Sequence, residues 1–316
     1  MKVLGISAGR PEGNSEILLK EALKACEANG QEVTFIRLHD YYIKPCIGCE
    51  FCTTLLSSGK PPRCKYDWSE DDIRFLMDQI QASDGVIIAA PAYQLMPPGI
   101  ITVVLNRIHS CGADNHTARA NEGKNKTVCA TIGVGGSDWV SLLLPLLNLM
   151  TTELIGSQMR LVDQMEVHGI PLKGMAALMP KGLERARQLG ENVCAELGKP
   201  QHTYHGTQVE VCPICHSNLL EYRKNGRVAC PFCDVEGDVI VEDGKMTGVK
   251  WDGGIEVSRW SKHGTAHHDN EMEQGTGIKR LPGHRFEFSD EHKKTIANAI
   301  ENVRNTYQPL KPPARG

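Results

Sequence analysis

The sequence predicts an α/β protein, with a five-stranded parallel sheet that carries helices on both faces, then a small β-rich module and a C-terminal helix. Over the first two hundred residues, short apolar runs typical of buried strands alternate with stretches of helical period. This alternation implies right-handed crossovers and a parallel sheet. Beyond residue 209, short β segments and hairpin turns surround two closely spaced cysteine pairs, which indicates a second, smaller unit.

Each element of the sheet follows from a local pattern. Residues 3–6 form a short apolar strand, and Asn14 or Ser15 can cap the next helix, which Gly30 ends. Residues 85–90 are apolar on both faces, so we expect this strand at the centre of the sheet. The other strands are predicted at 33–38, 127–132 and 160–167, and the other helices at 71–82, 139–154 and 183–197.

A change of composition after residue 198 divides the chain. The dipeptides Asn225-Gly226 and Asp243-Gly244 are strong hairpin signals, whereas residues 252–282 are rich in glycine, histidine and charge and look irregular. Ser289 can cap a last helix with one apolar stripe, which we expect to pack on the main domain. We predict an α/β domain at 1–198, a linker at 199–208, a four-cysteine module at 209–253, and an irregular segment with the C-terminal helix at 254–316.

Composition excludes several classes of function. A net charge of −3 offers no electrostatic basis for binding nucleic acid or an anionic membrane. The longest apolar stretch, 140–150, is too short to span a membrane. Because Met1 and Lys2 lead directly into a strand, we expect no signal peptide and a cytoplasmic location. In that reducing compartment the twelve cysteines are not expected to form disulfides, and four scattered ones are interpreted as small buried hydrophobes, namely Cys26, Cys111, Cys129 and Cys194.

The loop after the first strand has the composition of a phosphate site. It supplies Gly9 and Gly13 for tight turns, hydroxyls from Ser7 and Ser15, an amide from Asn14, and a helix N-terminus directly behind them. It matches neither an ATP-type P-loop nor a dinucleotide fingerprint. An ordinary glycine-rich turn is the alternative interpretation.

The loops after the third and fourth strands favour a bound flavin. The first of these places an aromatic ring at the carboxyl edge of the sheet, where ligands of parallel sheets bind. The second is glycine-rich and lets backbone N–H groups approach a flat ring. We expect FMN contacts from Pro91, Ala92, Tyr93, Gln94, Gly133, Gly135 and Gly136.

The first cysteine group follows the second strand, at the same edge of the sheet. Cys46, Cys49 and Cys52 are each separated by two residues, and Cys64 follows after eleven more. Three thiolates so spaced can wrap one face of a [4Fe–4S] cluster, and a fourth from a loop can close it. Zinc binding and free thiols are the alternatives.

The second cysteine group has the spacing of a zinc ribbon. The pairs Cys212/Cys215 and Cys230/Cys233 are separated by fourteen residues and lie among hairpin signals. Rubredoxin-like iron is the alternative, but His216 stands where rubredoxins have glycine, which favours zinc. The main role of this metal would be stability, because so small a module cannot bury enough core.

These motifs together resemble the NAD(P)H-dependent FMN reductase-like flavodoxin superfamily, and within it the iron–sulfur flavoprotein branch. The resemblance covers about residues 1–197 and rests on residues 5–8, 13–16, 91–93, 133–136 and the first cysteine group. It implies a flavodoxin-like fold, phosphate contacts from Ser7, Arg10, Asn14 and Ser15, and a homodimer or homotetramer.

The resulting hypothesis is an FMN-dependent oxidoreductase. Electrons would pass from NAD(P)H or a ferredoxin-type donor, through FMN and a [4Fe–4S] cluster, to a small-molecule acceptor. A plain NAD(P)H:quinone or flavin reductase with structural metal sites is one alternative, and an electron-transfer protein without a substrate is another. His168, just past the fifth strand, lies at the right edge to reach a substrate, although a surface or packing role is the simpler interpretation. Residues 263–271 contain three histidines, which we interpret as a solvated loop rather than a metal site.

Overall fold

The computed structural model describes residues 1–58, 60, 63–66, 70–108, 127–138, 143, 147, 150, 159–206, 212–281 and 285–304. Of the predicted helix 139–154, only residues 143, 147 and 150 belong to this set. Cys111 and the end of the predicted linker also lie outside the described residues.

The predicted five-stranded parallel sheet is confirmed. Its order is β2-β1-β3-β4-β5, so β3 lies at the centre, as its apolar sequence predicts. The strands are β1 (Lys2–Ser7), β2 (Glu32–Arg37), β3 (Gly85–Pro91), β4 (Val128–Val134) and β5 (Arg160–Val167).

Helices cover both faces of this sheet. Its helices are α1 (Asn14–Ala28), α2 (Phe51–Ser57), α3 (Ile73–Gln81), α4 (Gly99–Ile108) and α5 (Pro180–Glu196). The apolar faces of α1 and α5 form one core layer with the sheet, and those of α3 and α4 contribute to the other. The sequence did not predict α2 and α4. Helices α1 and α5 pack so closely that a Cβ on Gly190 would lie 2.2 Å from the carbonyl oxygen of Ala22.

The segment after α5 is hydrogen-bonded to the sheet. The backbone N–H of His205 donates to the carbonyl oxygen of Val162 on β5 at 2.7 Å. The buried carboxylate of Glu196 accepts hydrogen bonds from the Thr203 N–H at 3.0 Å and from the His205 ring at 2.8 Å. These bonds and contacts with Lys199 outweigh burial and hold the pKa of Glu196 at about 2.

The cysteine module is an antiparallel sheet of four strands. They are β6 (Glu221–Tyr222), β7 (Val228–Ala229), β8 (Glu236–Glu242) and β9 (Lys245–Trp251). Both predicted hairpin turns are present, with positive φ at Gly226, Asp243 and Gly244. The predicted β-rich character of this module is therefore confirmed.

The prediction of an irregular segment at 252–282 is wrong. It contains α6 (Lys262–Thr276) and β10 (Lys279–Leu281), which pairs with β11 (Arg285–Glu287). Ser261 caps α6 by accepting a hydrogen bond from the Gly264 N–H at 3.2 Å, and Gly277, at φ 68°, ends it. The helix has polar residues around its circumference, so no apolar stripe announces it.

The C-terminal helix α7 (Asp290–Arg304) forms where Ser289 predicts it. The expectation that its apolar stripe packs on the main domain is wrong. Ile296, Ile300 and Val303 are between 43% and 69% exposed.

Candidate functional site

The loop between β1 and α1 is folded tightly around the N-terminus of the helix. Ser7 ends β1, is buried, and its hydroxyl has no hydrogen-bond partner among the described residues. A Cβ on Gly9 would lie 2.9 Å from the Oγ of Ser15. One on Gly13 would lie 2.9 Å from the carbonyl oxygen of Arg10. Both positions require glycine because these parts of the loop lie so close together. The free N–H groups at the N-terminus of α1 favour an anion here.

Asn14 contributes to this loop in a way that its sequence position does not reveal. Its side-chain amide donates to the carbonyl oxygens of Ile170 and Leu172, both at 2.8 Å. Its Oδ1 accepts the backbone N–H of Ala176 at 3.1 Å. The side chain therefore ties α1 to the loop after β5, which leaves its backbone N–H as the group available to a phosphate.

A buried carboxylate underlies the same loop. Glu16 is 1% exposed and accepts two hydrogen bonds from the guanidinium of Arg37, at 2.8 and 2.9 Å. Lys20 lies 2.7 Å away, and the backbone N–H of Glu12 donates at 3.2 Å. The bonds to Arg37 and then Lys20 outweigh burial and hold the pKa of Glu16 at about 2. Its position in the first turn of α1 can be read from the sequence, but its ion pair with Arg37 cannot, because the two residues are brought together by the fold.

The loop after β3 forms a tight turn that displays apolar side chains. Tyr93 and Met96 exchange backbone hydrogen bonds at 2.9 and 3.0 Å. Between them, Gln94 and Leu95 have φ of 49° and 66°. Residues other than glycine rarely adopt this left-handed backbone conformation, so the turn is strained. Such strain concentrates at functional sites. Tyr93, Leu95 and Met96 are 46%, 58% and 62% exposed.

These loops meet at a pocket of about 200 Å³ beyond the carboxyl ends of β1, β3 and β4. Gly136 lies so close to Pro171 that an added Cβ would be 3.2 Å from its Cα. Val134, Ile170 and Pro171 also line the pocket, and none of them was predicted; the last two follow β5, which was not expected to contribute. The predicted site residues on its wall are Arg10, Gly13, Asn14, Ser15, Pro91, Ala92, Tyr93 and Gly136.

Five predicted residues, namely Ser7, Gly9, Gln94, Gly133 and Gly135, are not on the wall of this pocket. A Cβ on Gly133 would meet the side chain at position 147 at 3.1 Å, and one on Gly135 would meet that at 143 at 3.2 Å. These two glycines therefore allow close packing within the core.

The first cysteine group does not form a site for a single metal ion. Cys46 and Cys49 are exposed, and Cys52 and Cys64 are half-buried. No three of these four sulfurs lie as close together as ligands of a single metal ion, and the one group in the described part of the chain that does lies elsewhere. The ligand sulfurs of a [4Fe–4S] cluster stand farther apart than those around a single ion, so the cluster on the first group stays a prediction.

Cys64 lies in different surroundings from the other three. It contacts the guanidinium of the buried Arg107, which forms an ion pair with Asp71. Burial opposes the charge, but hydrogen bonds from Arg107 to Asp71 and Cys64 raise the pKa of the arginine. The ring of Tyr66 lies 5.4 Å from this guanidinium and 4.6 Å from the ammonium of Lys44.

The second cysteine group is assembled as its spacing predicts. All four side chains are buried, and their sulfurs lie within 4.8 Å of one another. Four thiols at this distance fit a tetrahedral metal ion. The members are Cys212, Cys215, Cys230 and Cys233.

The two halves of this site have the same backbone. The N–H of His216 donates to the carbonyl oxygen of Cys212 at 3.0 Å, and the N–H of Asp234 donates to that of Cys230 at 2.9 Å. His216 and Asp234 have φ of 54° and 60°. Both turns thus have the left-handed conformation that glycine favours, although neither has glycine.

The module contacts the edge strand of the parallel sheet. The ring of Tyr204 stacks on that of His216, with centroids 3.6 Å apart and planes 9° apart. The side chain of Gln164 on β5 donates to the hydroxyl of Tyr204 at 3.1 Å and to the carbonyl oxygen of Cys215 at 3.4 Å. The four-cysteine site therefore packs on the middle of β5, away from the pocket beyond its carboxyl end.

Residues 1–164, more than half of the chain, match the family described as NADPH-dependent FMN reductase. The chain belongs to this FMN reductase family. FMN is accordingly its cofactor, and the protein is an FMN-dependent oxidoreductase. Among the described residues, no helix is both long and apolar enough to cross a membrane.

Individual relatives of this chain align with different shares of it. A flavone synthase of Aspergillus candidus is 26% identical over 306 residues, 87% of this chain and 90% of that one. An iron–sulfur flavoprotein of Methanocaldococcus jannaschii is 40% identical over 94 residues, 29% of this chain and 44% of that one. A solved flavone reductase superposes with a TM-score of 0.69 at 21% identity, over 99% of this chain and 100% of its own, which shows a shared fold.

The pocket fits the FMN of this family. The buried hydroxyl of Ser7 lacks a partner near the helix end where a phosphate would lie. The loop's own atoms occupy the space that a Cβ would fill at Gly9 and Gly13, so these glycines let the backbone fold tightly in front of the N-terminus of α1, where an anion binds favourably. The exposed ring of Tyr93 offers an apolar surface beside it.

Proposed function

We propose that this protein is a two-electron, NAD(P)H-dependent FMN reductase whose acceptor is a small, flat, conjugated molecule. The supporting observation is the pocket at the carboxyl edge of the sheet, where the loops after β1, β3, β4 and β5 meet. Ligands of open α/β sheets bind at this edge.

The chain's own residues divide the work of holding FMN. The N–H groups of Asn14 and Ser15 at the start of α1, with the hydroxyls of Ser7 and Ser15, would hold the phosphate. Arg10, on the pocket wall, adds positive charge. Bound FMN would supply hydride transfer between donor and acceptor. The loop containing Tyr93 would support the flavin ring and leave one face open to a second planar molecule.

Two features support an acceptor that resembles a flavone. The relative named flavone synthase aligns with both the α/β domain and the cysteine module, whereas the iron–sulfur flavoprotein match covers 94 residues. The side chains of Leu95 and Met96 are exposed beside Tyr93, and together they offer an apolar bed for a flat substrate. The reaction class is the addition of two electrons and two protons to a conjugated double bond, or its reverse.

The metal assignment follows the same reasoning. We assign zinc to the second cysteine group, because four buried thiols close to one another fit a closed structural site. In this proposal the electron path runs directly from donor to FMN to acceptor, without a cluster on the first group. We retain the division into a domain at 1–198 and a module at 209–253, and a homodimer or homotetramer, as predictions.

The test is turnover with defined acceptors, combined with metal analysis. Protein purified without air should release FMN on denaturation, contain zinc and lack iron and sulfide. It should oxidise NADPH or NADH with flavone or a quinone, and reduced ferredoxin should not be required. Iron and sulfide in equal amounts with bleaching around 400 nm by dithionite would instead support the iron–sulfur electron-transfer function.

A further inference from the structure

A second cavity, of about 440 Å³, lies between the parallel sheet and the cysteine module. Its wall combines the start of β5, the segment after α5 and the module itself. A volume of this size is typical of pockets that bind small organic molecules. The cavity shares no described lining residue with the flavin pocket, which lies beyond the opposite end of the strands.

Hydrogen bonds and ring stacking hold the three parts of this wall in place. The backbone N–H of His205 donates to the carbonyl oxygen of Val162 on β5 at 2.7 Å. The side chain of Gln164 donates to the hydroxyl of Tyr204 at 3.1 Å, and the ring of Tyr204 stacks on that of His216. The second cavity is therefore formed by the fold before any ligand enters it.

Most of the wall is apolar. Met159 and Leu161 are buried at the start of β5, whereas Pro200 and Pro213 are exposed at the rim. Covering such a surface with the apolar part of a ligand removes it from water and is favourable. The apolar residues of the described wall are Met159, Leu161, Pro200, Pro213, Ile214 and Ile255.

The described wall carries one formal charge, and it is positive. This charge belongs to Arg160, the first residue of β5. The two histidines on the wall are neutral at pH 7, because burial lowers the pKa of His202 and holds that of His216 at about 4. No carboxylate lines the described part of the wall.

Carboxylates close to this wall in the chain are engaged by other groups. Glu196 is bonded to Lys199 at 3.0 Å and to His205 at 2.8 Å. Asp163 on β5 pairs with Arg185. The guanidinium of Arg160 forms no ion pair with any described residue, so its charge is available to an anion.

A buried imidazole nitrogen supplies a second polar group. The Nε2 of His202 is buried and makes no hydrogen bond within the described part of the chain. Buried polar atoms are nearly always paired, so this exception indicates a missing partner. The neutral ring can carry its proton on Nε2 and donate it to an oxygen. Burial is the main cause of its lowered pKa, and the charge of Arg160 adds to that effect because the guanidinium is near.

We propose that the second cavity binds a small organic acid with one carboxylate and an apolar body. Arg160 and the Nε2–H of His202 hold the carboxylate, since hydrogen bonds to an ionised acceptor are the strong ones. The apolar wall covers the rest of the ligand. A neutral ligand would leave Arg160 without a counter-charge, and an inorganic anion would leave the apolar wall uncovered. This binding function goes beyond the proposed reductase activity and uses no residue of the flavin pocket.

The probe is octanoate, titrated into the FMN-loaded full chain by isothermal titration calorimetry. Octanamide has the same apolar chain without the charge, and acetate has the charge without the chain. We expect octanoate to bind with a Kd below about 1 mM, and both control compounds to bind at least about tenfold more weakly.

Three variants test the two halves of the proposal. Arg160→Met removes the charge and keeps most of the side-chain volume, so octanoate should bind about tenfold more weakly or worse while octanamide is unaffected. Ile214→Trp fills the cavity from the module side and should abolish octanoate binding with Arg160 still present. Lys224→Met, in the exposed turn between β6 and β7, removes the same charge elsewhere and should leave the Kd within about twofold.

NMR spectra locate the bound acid. In wild type, octanoate should shift the signals of His202 and Tyr204 and leave those of Tyr93 in the flavin pocket unchanged. Shifts at Tyr93 without shifts at His202 would place the acid in the flavin pocket and overturn the inference.

The other outcomes are equally decisive. Absence of saturable octanoate binding to wild type, equal affinity for octanamide, or unchanged affinity in Ile214→Trp would each overturn the inference, and none of them depends on Arg160→Met folding. An equal loss in Arg160→Met and Lys224→Met would also overturn it, because only net charge would then matter. None of these measurements requires turnover. Protein that binds octanoate in this way but does not oxidise NAD(P)H would overturn the proposed function alone.

Discussion

The carboxylate of Glu16 should make the stability of this protein depend on pH. It is 1% exposed, is held by Arg37 and Lys20, and has a pKa of about 2 instead of 4.5. This difference corresponds to about 3 kcal/mol of stability that is present above pH 4.5 and is lost as the pH falls towards 2. The sign follows because the folded state binds the proton less tightly than the unfolded chain.

We therefore expect Glu16→Gln to lower the free energy of unfolding by about 2–4 kcal/mol at pH 7, because the change removes the buried negative charge that pairs with Arg37. The assay is urea unfolding of the apoprotein, followed by circular dichroism at 222 nm, at pH 7, 5 and 3. Because protonation removes the same ion pair from wild type, the difference between the two proteins should shrink below pH 4.5.

The exposed Glu27, on the same helix, supplies a matched control. Glu27→Gln should change the free energy of unfolding by less than about 0.5 kcal/mol at every pH. A penalty for Glu16→Gln that is as large at pH 3 as at pH 7, or no larger than that of the control, would refute the reasoning.

Three further changes probe the pocket, the four-cysteine site and the contact between the domain and the module. Gly136→Ala should weaken FMN binding about tenfold in a fluorescence titration, because the new Cβ meets the opposing proline backbone at 3.2 Å, whereas Gly275→Ala, in open space on α6, should not. Cys230→Ser should lose its bound zinc, measured by mass spectrometry, and β6–β9 should unfold, measured by NMR, while FMN stays bound. Loss of FMN from this variant would show that the module is part of the flavin site. Tyr204→Ala should speed proteolysis between the domain and the module, because it removes a ring stacked at 3.6 Å, and equal rates for Tyr204→Ala and the exposed control Tyr222→Ala would contradict that role.

The elements that depend on short stretches of sequence were predictable. The apolar run at 85–90 required burial on both faces, and β3 is central for that reason. The conformation of the hairpin turns and of the two cysteine pairs depends on residues that are adjacent in the chain. The spacing of these residues therefore predicts their geometry. The loop after β1 could be recognised because its glycines and the helix behind it are contiguous.

What the sequence could not settle depends on partners far apart in the chain. Asn14 has the residue type of a phosphate ligand, yet its side chain is engaged by the loop after β5, more than 150 residues away. Cys64 follows three regularly spaced cysteines, but Arg107 and the core beside it hold it in other surroundings. Glu166 and His168 become a pair only because β5 ends beside the glycine-rich loop of β4.

The sequence by itself thus determined the fold class, the flavin edge of the sheet and the four-cysteine module. Tertiary structure decided which polar side chains are free to bind and which are already engaged. The physical reason is that strand, turn and knuckle geometry depend on nearest neighbours in the chain, whereas burial and pairing of a charge depend on whichever segment the fold brings against it.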